Sequence, residues 1–577
     1  MEVRRSFPTR GAVRRPRFGP LDLVVAASII GIFYVVVRLA GSMTTAFPAR
    51  SVSTISTDPS HLPYYAARSL LRMFIALAIS IVFTFVYATA AARSRRAEKV
   101  LIPLLDILQS VPILGFLTFT VTFFINLFHG SLFGLECASI FAIFTSQAWN
   151  MTFSFYHSLV TQPADLDEAA RMFRLTKWER FWKLDVPGSM IGLVWNGMMS
   201  FGGGWFFLAA SEAITVLNKT YTLPGIGSYV AEAAIQGSIS HIGIAIVTMV
   251  VMVVGVNFLF WRPLTAWSEK FRIEESEAAE KHKSYVLNAL RRSSIPGLLG
   301  RAAWPVGRLL DRITRPFGRA ENPLHVDPGR RRAGDTGFAV IVTGLVAWGA
   351  FLGASYINSH IGFGAFPYVF ELGAVTFARV VILVVVGTLI WVPVGVKIGM
   401  SPKLARYAQP IVQILASFPA NFLFPVAAAI FVATGLSLNI GGIVLMSLGA
   451  QWYILFNVIA GASAIPSDLR DAMTNFGVKR SLLWKKLILP AIFGTYVTGG
   501  ITAAGGAWNA SIVAEVLTFG KHHLVATGLG AYIAQASAAG RIDKVLVGVI
   551  VMSFYVVAAN RLLWRRLYRL SETRYSL

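Results

Sequence analysis

Cysteine is nearly absent from this chain: Cys137 stands alone among 577 residues, so no disulfide can close within it. Charge is scarce as well, at 14% of residues against 55% hydrophobic, and acids are outnumbered 28 to 52 by Lys and Arg. The nine histidines form no cluster with catalytic or metal-ligand spacing, and His522-His523 is an isolated pair, which argues against a membrane enzyme. No G-x-x-x-x-G-K-[ST] run occurs, so a phosphate loop of that type is not encoded here.

What the chain does have is apolar length. Mean hydropathy is +0.62, and twelve runs are long enough to cross a hydrocarbon core of about 30 Å. They lie at 22–42, 69–92, 101–126, 137–160, 188–212 and 241–263, then at 337–356, 375–400, 408–432, 440–462, 491–515 and 543–564. Unpaired backbone groups are costly in lipid, so these spans are predicted to be helices, giving an all-α polytopic membrane protein. The basic start is read as leading into a retained first span, because no small-x-small cleavage pattern follows the apolar run.

The second half repeats the first. Residues 149–264 align with 452–567 at a constant offset of 303, pairing Trp149 with Trp452, Pro163 with Pro466, Phe173 with Phe476 and Glu212 with Glu515. Upstream the offset becomes 307, pairing Arg72 with Arg379, Pro103 with Pro410 and Pro112 with Pro419. Two parallel six-span repeats follow, 1–264 and 336–577, joined by a basic linker at 265–335.

The net charge of +24 follows the topology rather than a nucleic-acid partner. With the N-terminus inside, the segments 1–20, 93–99, 161–187, 265–335, 396–407, 466–490 and 561–577 hold 42 of the 52 Lys and Arg. The positive-inside rule then places both termini in the cytoplasm. Within the linker, VLNALRRSSIPGLLGRAAWPVGRLLDRITRPFG interleaves apolar residues with Arg. An interfacial helix on an anionic leaflet and a solvated tether both fit that pattern.

One loop recurs between the fourth and fifth spans of each half, at 163–187 and 466–490. Asp165 and Asp468 are expected at helix N-caps, with Glu168 and Asp471 reaching back three residues later. Leu166, Ala169, Ala170 and Phe173 fall at i, i+3, i+4 and i+7, as do Leu469, Ala472, Met473 and Phe476. Such a narrow apolar face either packs on the protein's own spans or docks a soluble partner.

Glu168-Ala169-Ala170 with Pro187, and Asp471-Ala472-Met473 with Gly477 and Leu489-Pro490, resemble the EAA loop of binding-protein-dependent ABC importer permeases. The first copy departs from that pattern at Arg174, where the family has Gly, and at Val186 before the proline; the second has Asp for Glu and Met for the second Ala. Trp205 through Ser211-Glu212 and Trp508 through Ala514-Glu515, with Arg72 and Arg379 in S/T-x-x-R form, resemble the nitrate, sulfonate, taurine and bicarbonate branch. The resemblance implies the type I permease fold in a bacterial inner membrane and an imported small anion. It also implies two ABC ATPase subunits that carry ATP and Mg2+, and a periplasmic or lipid-anchored binding protein. It assigns coupling to the two loops and no catalytic, cofactor or metal site to this chain.

Ionisable groups within spans are functional candidates. Arg72 and Arg379, expected one turn into their spans, could draw an oxyanion toward a path or simply snorkel to headgroups. Glu212 and Glu515 are read as structural hydrogen-bond acceptors or, alternatively, gates, and the paired Trp205 and Trp508 join these as path candidates. Asn196, Gln451, Asn457 and Asn509 could line a cavity or bridge helices. A secondary transporter driven by an ion gradient is the competing reading, and it would call for acid and base relays in the bundle centre. Asp106 is the main charge deep in a predicted span.

Overall fold

In the computed structural model the described residues are 19–43, 55–128, 131–216, 219–271, 284–314 and 328–574. The basic start and residues 315–327 of the linker lie outside them.

Among the described residues, nine helices are long and apolar enough to cross a membrane: Pro20–Met43, Pro59–Arg93, Leu132–Val160, Ile239–Phe271, Thr336–His360, Phe363–Gly399, Leu438–Ser463, Arg480–Ala514 and Ile542–Ser571. Each falls on a predicted span. A tenth, Val186–Glu212, has the length of its equivalent in the second half but is diluted by Gly, Ser and Asn. The protein is thus an all-α polytopic membrane protein built from a repeated set of helices.

Two predicted spans are not single straight helices. The stretch 101–126 divides into Arg95–Gln109 and Ile113–Leu127, bent by 102°, and 408–432 divides into Pro402–Ser417 and Phe424–Thr434. Pro112 and Pro419 sit at the breaks in extended backbone, and neither can donate the hydrogen bond that would continue a helix. Short antiparallel hairpins, not anticipated from the sequence, follow the fifth long helix of each half: Ala213–Val216 with Lys219–Thr222, and Val516–Phe519 with His522–Val525. Each hairpin leads into a ten-residue helix, Ile226–Ile235 or Leu529–Ala538.

The chain divides into two compact units that ignore the repeat boundary. The smaller comprises residues 1–40, 162–191 and 257–323. In it, Asp22 at the start of the first helix accepts hydrogen bonds from Ser293 Oγ at 2.8 Å and Ser294 N at 2.6 Å, and the linker helix Ile295–Thr314 packs on Lys177–Arg180. The larger comprises 41–161, 192–256 and 324–577. Its main core runs through both repeats, from Ile113 and Leu117 to Trp508 and Trp564.

Within the larger unit the broken helices of each half rest on the other half. Ile113 N donates to Asn509 Oδ1 at 2.8 Å, and Asn421 Nδ2 donates to Phe206 O at 3.1 Å. Phe206 and Asn509 are equivalent under the 303 offset. A pseudo-symmetric seam results: beside Pro112 a backbone N–H finds its partner on the other half, and beside Pro419 a side-chain amide reaches across.

Candidate functional site

The first candidate site is the repeated loop. In the first copy the helix runs Ala164–Met172 and its N-cap is Pro163, which offers no side-chain cap. Asp165 therefore sits in the first turn and does not cap it, although its charge still favours the helix dipole. In the second copy the helix runs Ser467–Asn475 with Asp468 likewise in the first turn. The box expected from Asp165 and Glu168 does not form, and a capping box not anticipated from the sequence occurs one helix later: Thr176 Oγ1 accepts from Glu179 N at 3.1 Å, and Glu179 Oε2 accepts from Thr176 N at 3.0 Å. Hydrogen bonding by the Thr176 N–H and then by Lys183 holds the Glu179 carboxyl below its ordinary range.

Both helices end in the same left-handed turn. Leu175 N bonds to Ala170 O and Val478 N to Met473 O, each at 3.1 Å, the closing bond of a Schellman motif. The residue that turns left-handed is Gly477 in the second copy (φ 64°) and Arg174 in the first (φ 49°). Among the described residues Arg174 is the sole non-glycine with positive φ. The family's glycine position is thus explained by geometry, and the first copy adopts the same turn with a side chain that disfavours it.

The predicted apolar face divides into an inner and an outer part. In the first copy Ala170 is buried and Ala169 half-buried, whereas Glu168 is exposed and Phe173 is 78% exposed. In the second copy Ala472 and Met473 are half-buried, Asp471 is exposed and Phe476 is 84% exposed. A phenylalanine is thus presented to the outside at each helix end, beside the left-handed turn. Five-residue π turns then follow at Phe181–Asp185 and Trp484–Ile488. They widen the helix just ahead of Pro187 and Pro490, whose rings would otherwise strike a carbonyl of the preceding turn.

The second candidate site is a buried polar cluster that occurs once per half. Glu212 accepts from Ser69 Oγ at 2.5 Å, Arg72 Nη1 at 2.6 Å and Gly227 N at 2.7 Å. Glu515 accepts from Thr376 Oγ1 at 2.9 Å, Arg379 Nη1 at 2.7 Å and Ala531 N at 2.9 Å. Each carboxylate therefore caps the short helix after the hairpin, whose own N-cap is a glycine, Gly225 or Gly528. A Cβ at either glycine would collide with that carboxylate, so these glycines serve close approach.

The first cluster is larger. Arg72 also reaches Glu136, through Nε at 2.5 Å and Nη2 at 2.8 Å, and Arg68 binds the same carboxylate. In the second half Asn439 stands at that place and receives Arg379 Nη2 at 2.9 Å. A fourth span drawn at 137–160 leaves out Glu136, whereas the helix begins at Leu132. The second helix likewise begins at Leu62, which sets Arg72 nearly three turns in instead of one.

All six residues considered for a path or gate are inside the protein. Arg72, Glu212 and Glu515 are fully buried, Trp205 and Trp508 are 2% exposed and Arg379 is 5% exposed. Snorkelling is thereby corrected for both arginines: each guanidinium is turned inward to carboxylate. Asn196 and Asn457 bond to carbonyls of their own helices, and Gln451 accepts from Trp391 Nε1 at 3.0 Å.

Comparison with known proteins agrees with the repeat. The family model described as the binding-protein-dependent transport system inner membrane component matches twice, at residues 80–262 and 391–576. A putative ABC transporter permease protein of Methanocaldococcus jannaschii is 25% identical over 187 residues, covering 32% of this chain and 67% of that relative. A nitrate import permease protein of Leptolyngbya laminosa is 26% identical over 189 residues, covering 33% and 64%. The glycine betaine/proline betaine transport system permease protein of Escherichia coli is 26% identical over 216 residues, covering 37% and 60%. The chain thus spans less than two thirds of the length of the latter two. With matches across both repeats and more than half of its residues, the chain belongs to the family of binding-protein-dependent transport system inner membrane components, as a duplicated permease.

Proposed function

We propose that this chain supplies both membrane halves of an ATP-driven importer in a bacterial cytoplasmic membrane, with both termini inside. Two ABC ATPase subunits, holding ATP and Mg2+, dock on the helices Ala164–Met172 and Ser467–Asn475. A periplasmic or lipid-anchored binding protein delivers the substrate at the opposite face. The observation that carries this reading is the pair of exposed phenylalanines, Phe173 and Phe476, set at identical places beside identical left-handed turns. An internal packing role would have buried them.

Nucleotide binding that draws the ATPase subunits together would move the docked helices and bias the halves between two states, which requires unequal affinity for those states. The substrate path follows the seam where each broken helix meets the other half. A small anion such as nitrate, sulfonate, taurine or bicarbonate is the proposed cargo, supported by the loop and Trp-to-Glu resemblances and by a nitrate permease among the relatives. The clasps at Glu212 and Glu515 hold each half together and leave no bare guanidinium to receive that anion.

Affinity purification of the tagged chain in mild detergent tests the proposal. An ABC ATPase should co-purify and be lost when Phe173 and Phe476 are both replaced by Ala, with membrane insertion unchanged. Transport driven by a proton or sodium gradient, with no ATPase recovered from the folded protein, would establish a secondary transporter instead.

A further inference from the structure

We infer that the linker helix Ile295–Thr314 is an anionic-lipid binding element lying on the membrane surface. Three observations within the smaller unit converge on it. The first is position. Asp22, at the cytoplasmic entry of the first membrane helix in the proposed orientation, binds Ser293 Oγ and Ser294 N directly ahead of the linker helix. That tie fixes the N-terminus of Ile295–Thr314 at the level where the first span enters lipid.

The second observation is the division of the helix surface. Leu298, Ala302, Leu309, Leu310 and Ile313 fall within one arc at 100° per residue, and Arg301 and Arg312 share another, at i and i+11. The third is exposure: Leu309 is 56%, Leu310 38% and Ile313 55% exposed, so the apolar arc is open toward its C-terminal end. A solvated tether has no reason to keep three large aliphatic side chains on one open face. A bilayer surface covers such a face, and its anionic headgroups match the exposed arginines.

The same helix packs on Lys177–Arg180, the capping-box segment of the first coupling loop. Lipid occupancy is therefore coupled to the first loop.

A single reporter tests this in the full chain. With Cys137→Ser and Leu309→Cys, an environment-sensitive fluorophore at 309 is read in vesicles of phosphatidylcholine, the same lipid with phosphatidylglycerol, and detergent micelles. Shielding from the neutral aqueous quencher acrylamide should rise several-fold in phosphatidylglycerol and fall again at high salt. Replacing Arg301 and Arg312 by Gln should weaken that partitioning by about fivefold per arginine. Equal acrylamide access in the two vesicle types overturns the inference: exposed in both means a solvated tether, and shielded in both and in micelles means cover by protein. The salt dependence is read on the helix with its arginines intact, so a folding defect of the Arg variants leaves the test standing.

Discussion

The two halves reach the same buried clasp with different charge. The first uses Arg68, Arg72, Glu136 and Glu212; the second keeps Arg379 and Glu515 and has Val375 and Asn439 in the places of Arg68 and Glu136. One cation and one anion have been exchanged together, so both clasps stay neutral. This is what a desolvated site demands: an unmatched ion costs several kcal/mol, whereas a matched pair replaced by uncharged groups can be close to neutral. The repeated loops at 163–187 and 466–490 differ in the opposite sense. There the backbone turn is held constant while Arg174 bears the strain that Gly477 avoids.

The largest effect we expect comes from unbalancing the first clasp. Glu136→Gln leaves Arg68 and part of Arg72 without their carboxylate and should cost about 3–5 kcal/mol, read as a loss of thermal stability in detergent. Arg68→Val combined with Glu136→Asn, which copies the second half, should recover most of that loss. Failure of the double variant to recover would show that the two clasps are not interchangeable.

Next come the two exposed phenylalanines taken singly. Phe173→Ala and Phe476→Ala should each weaken ATPase binding by about 2 kcal/mol, the scale of an interface hot spot, and by similar factors in a titration of purified subunits. A large effect at one and none at the other would replace equivalent docking by an asymmetric assembly. Smaller still, Arg174→Gly should stabilise the first loop by about 1 kcal/mol, while Gly477→Ala should destabilise the second by about 1–2 kcal/mol. Hydrogen exchange at Leu175 and Val478, the amides that close each turn, reports this locally.

The smallest effect is on pH. The folded pKa of Glu179 is depressed, so its contribution is present above its unfolded pKa and is lost as pH falls through the folded value. The equivalent positions in the second copy are Lys479 and Leu482, and Lys479 makes no side-chain cap. Acidification below the ordinary carboxylate range should lower amide protection, taken relative to the intrinsic exchange rate at each pH, at 176–180 while leaving that at 479–483 unchanged. Equal loss of protection in both loops would mean general acid unfolding.

Much of the fold was legible because period and length are local signals. Nine of twelve predicted spans coincide with long apolar helices among the described residues, and the 303 offset anticipated equal placement of the π turns at Phe181–Asp185 and Trp484–Ile488 without revealing that they were π turns. The caps were misplaced because Pro163 preceding Asp165 starts the helix earlier than capping preference alone suggests. Of the clasp, Arg72, Glu212 and their repeats stood out as ions within apolar runs. Glu136 did not, since it lay one residue beyond a predicted boundary, and nothing in the sequence singled out Gly225 and Gly528. Their role depends on a carboxylate thirteen residues upstream folding back over them.

Read in order, the residues alone establish a duplicated, multi-pass helical membrane protein with a repeated polar loop in each half. Hydrophobic length, charge segregation and a constant repeat offset are properties of the linear chain, and they need no three-dimensional neighbour. Packing in three dimensions settled which ions meet, which way Phe173 and Phe476 face, and that Pro112 and Pro419 mark breaks resting on the opposite half. Those outcomes depend on satisfying charges and backbone groups that have lost water, and their partners lie from about fifteen to several hundred residues away along the chain.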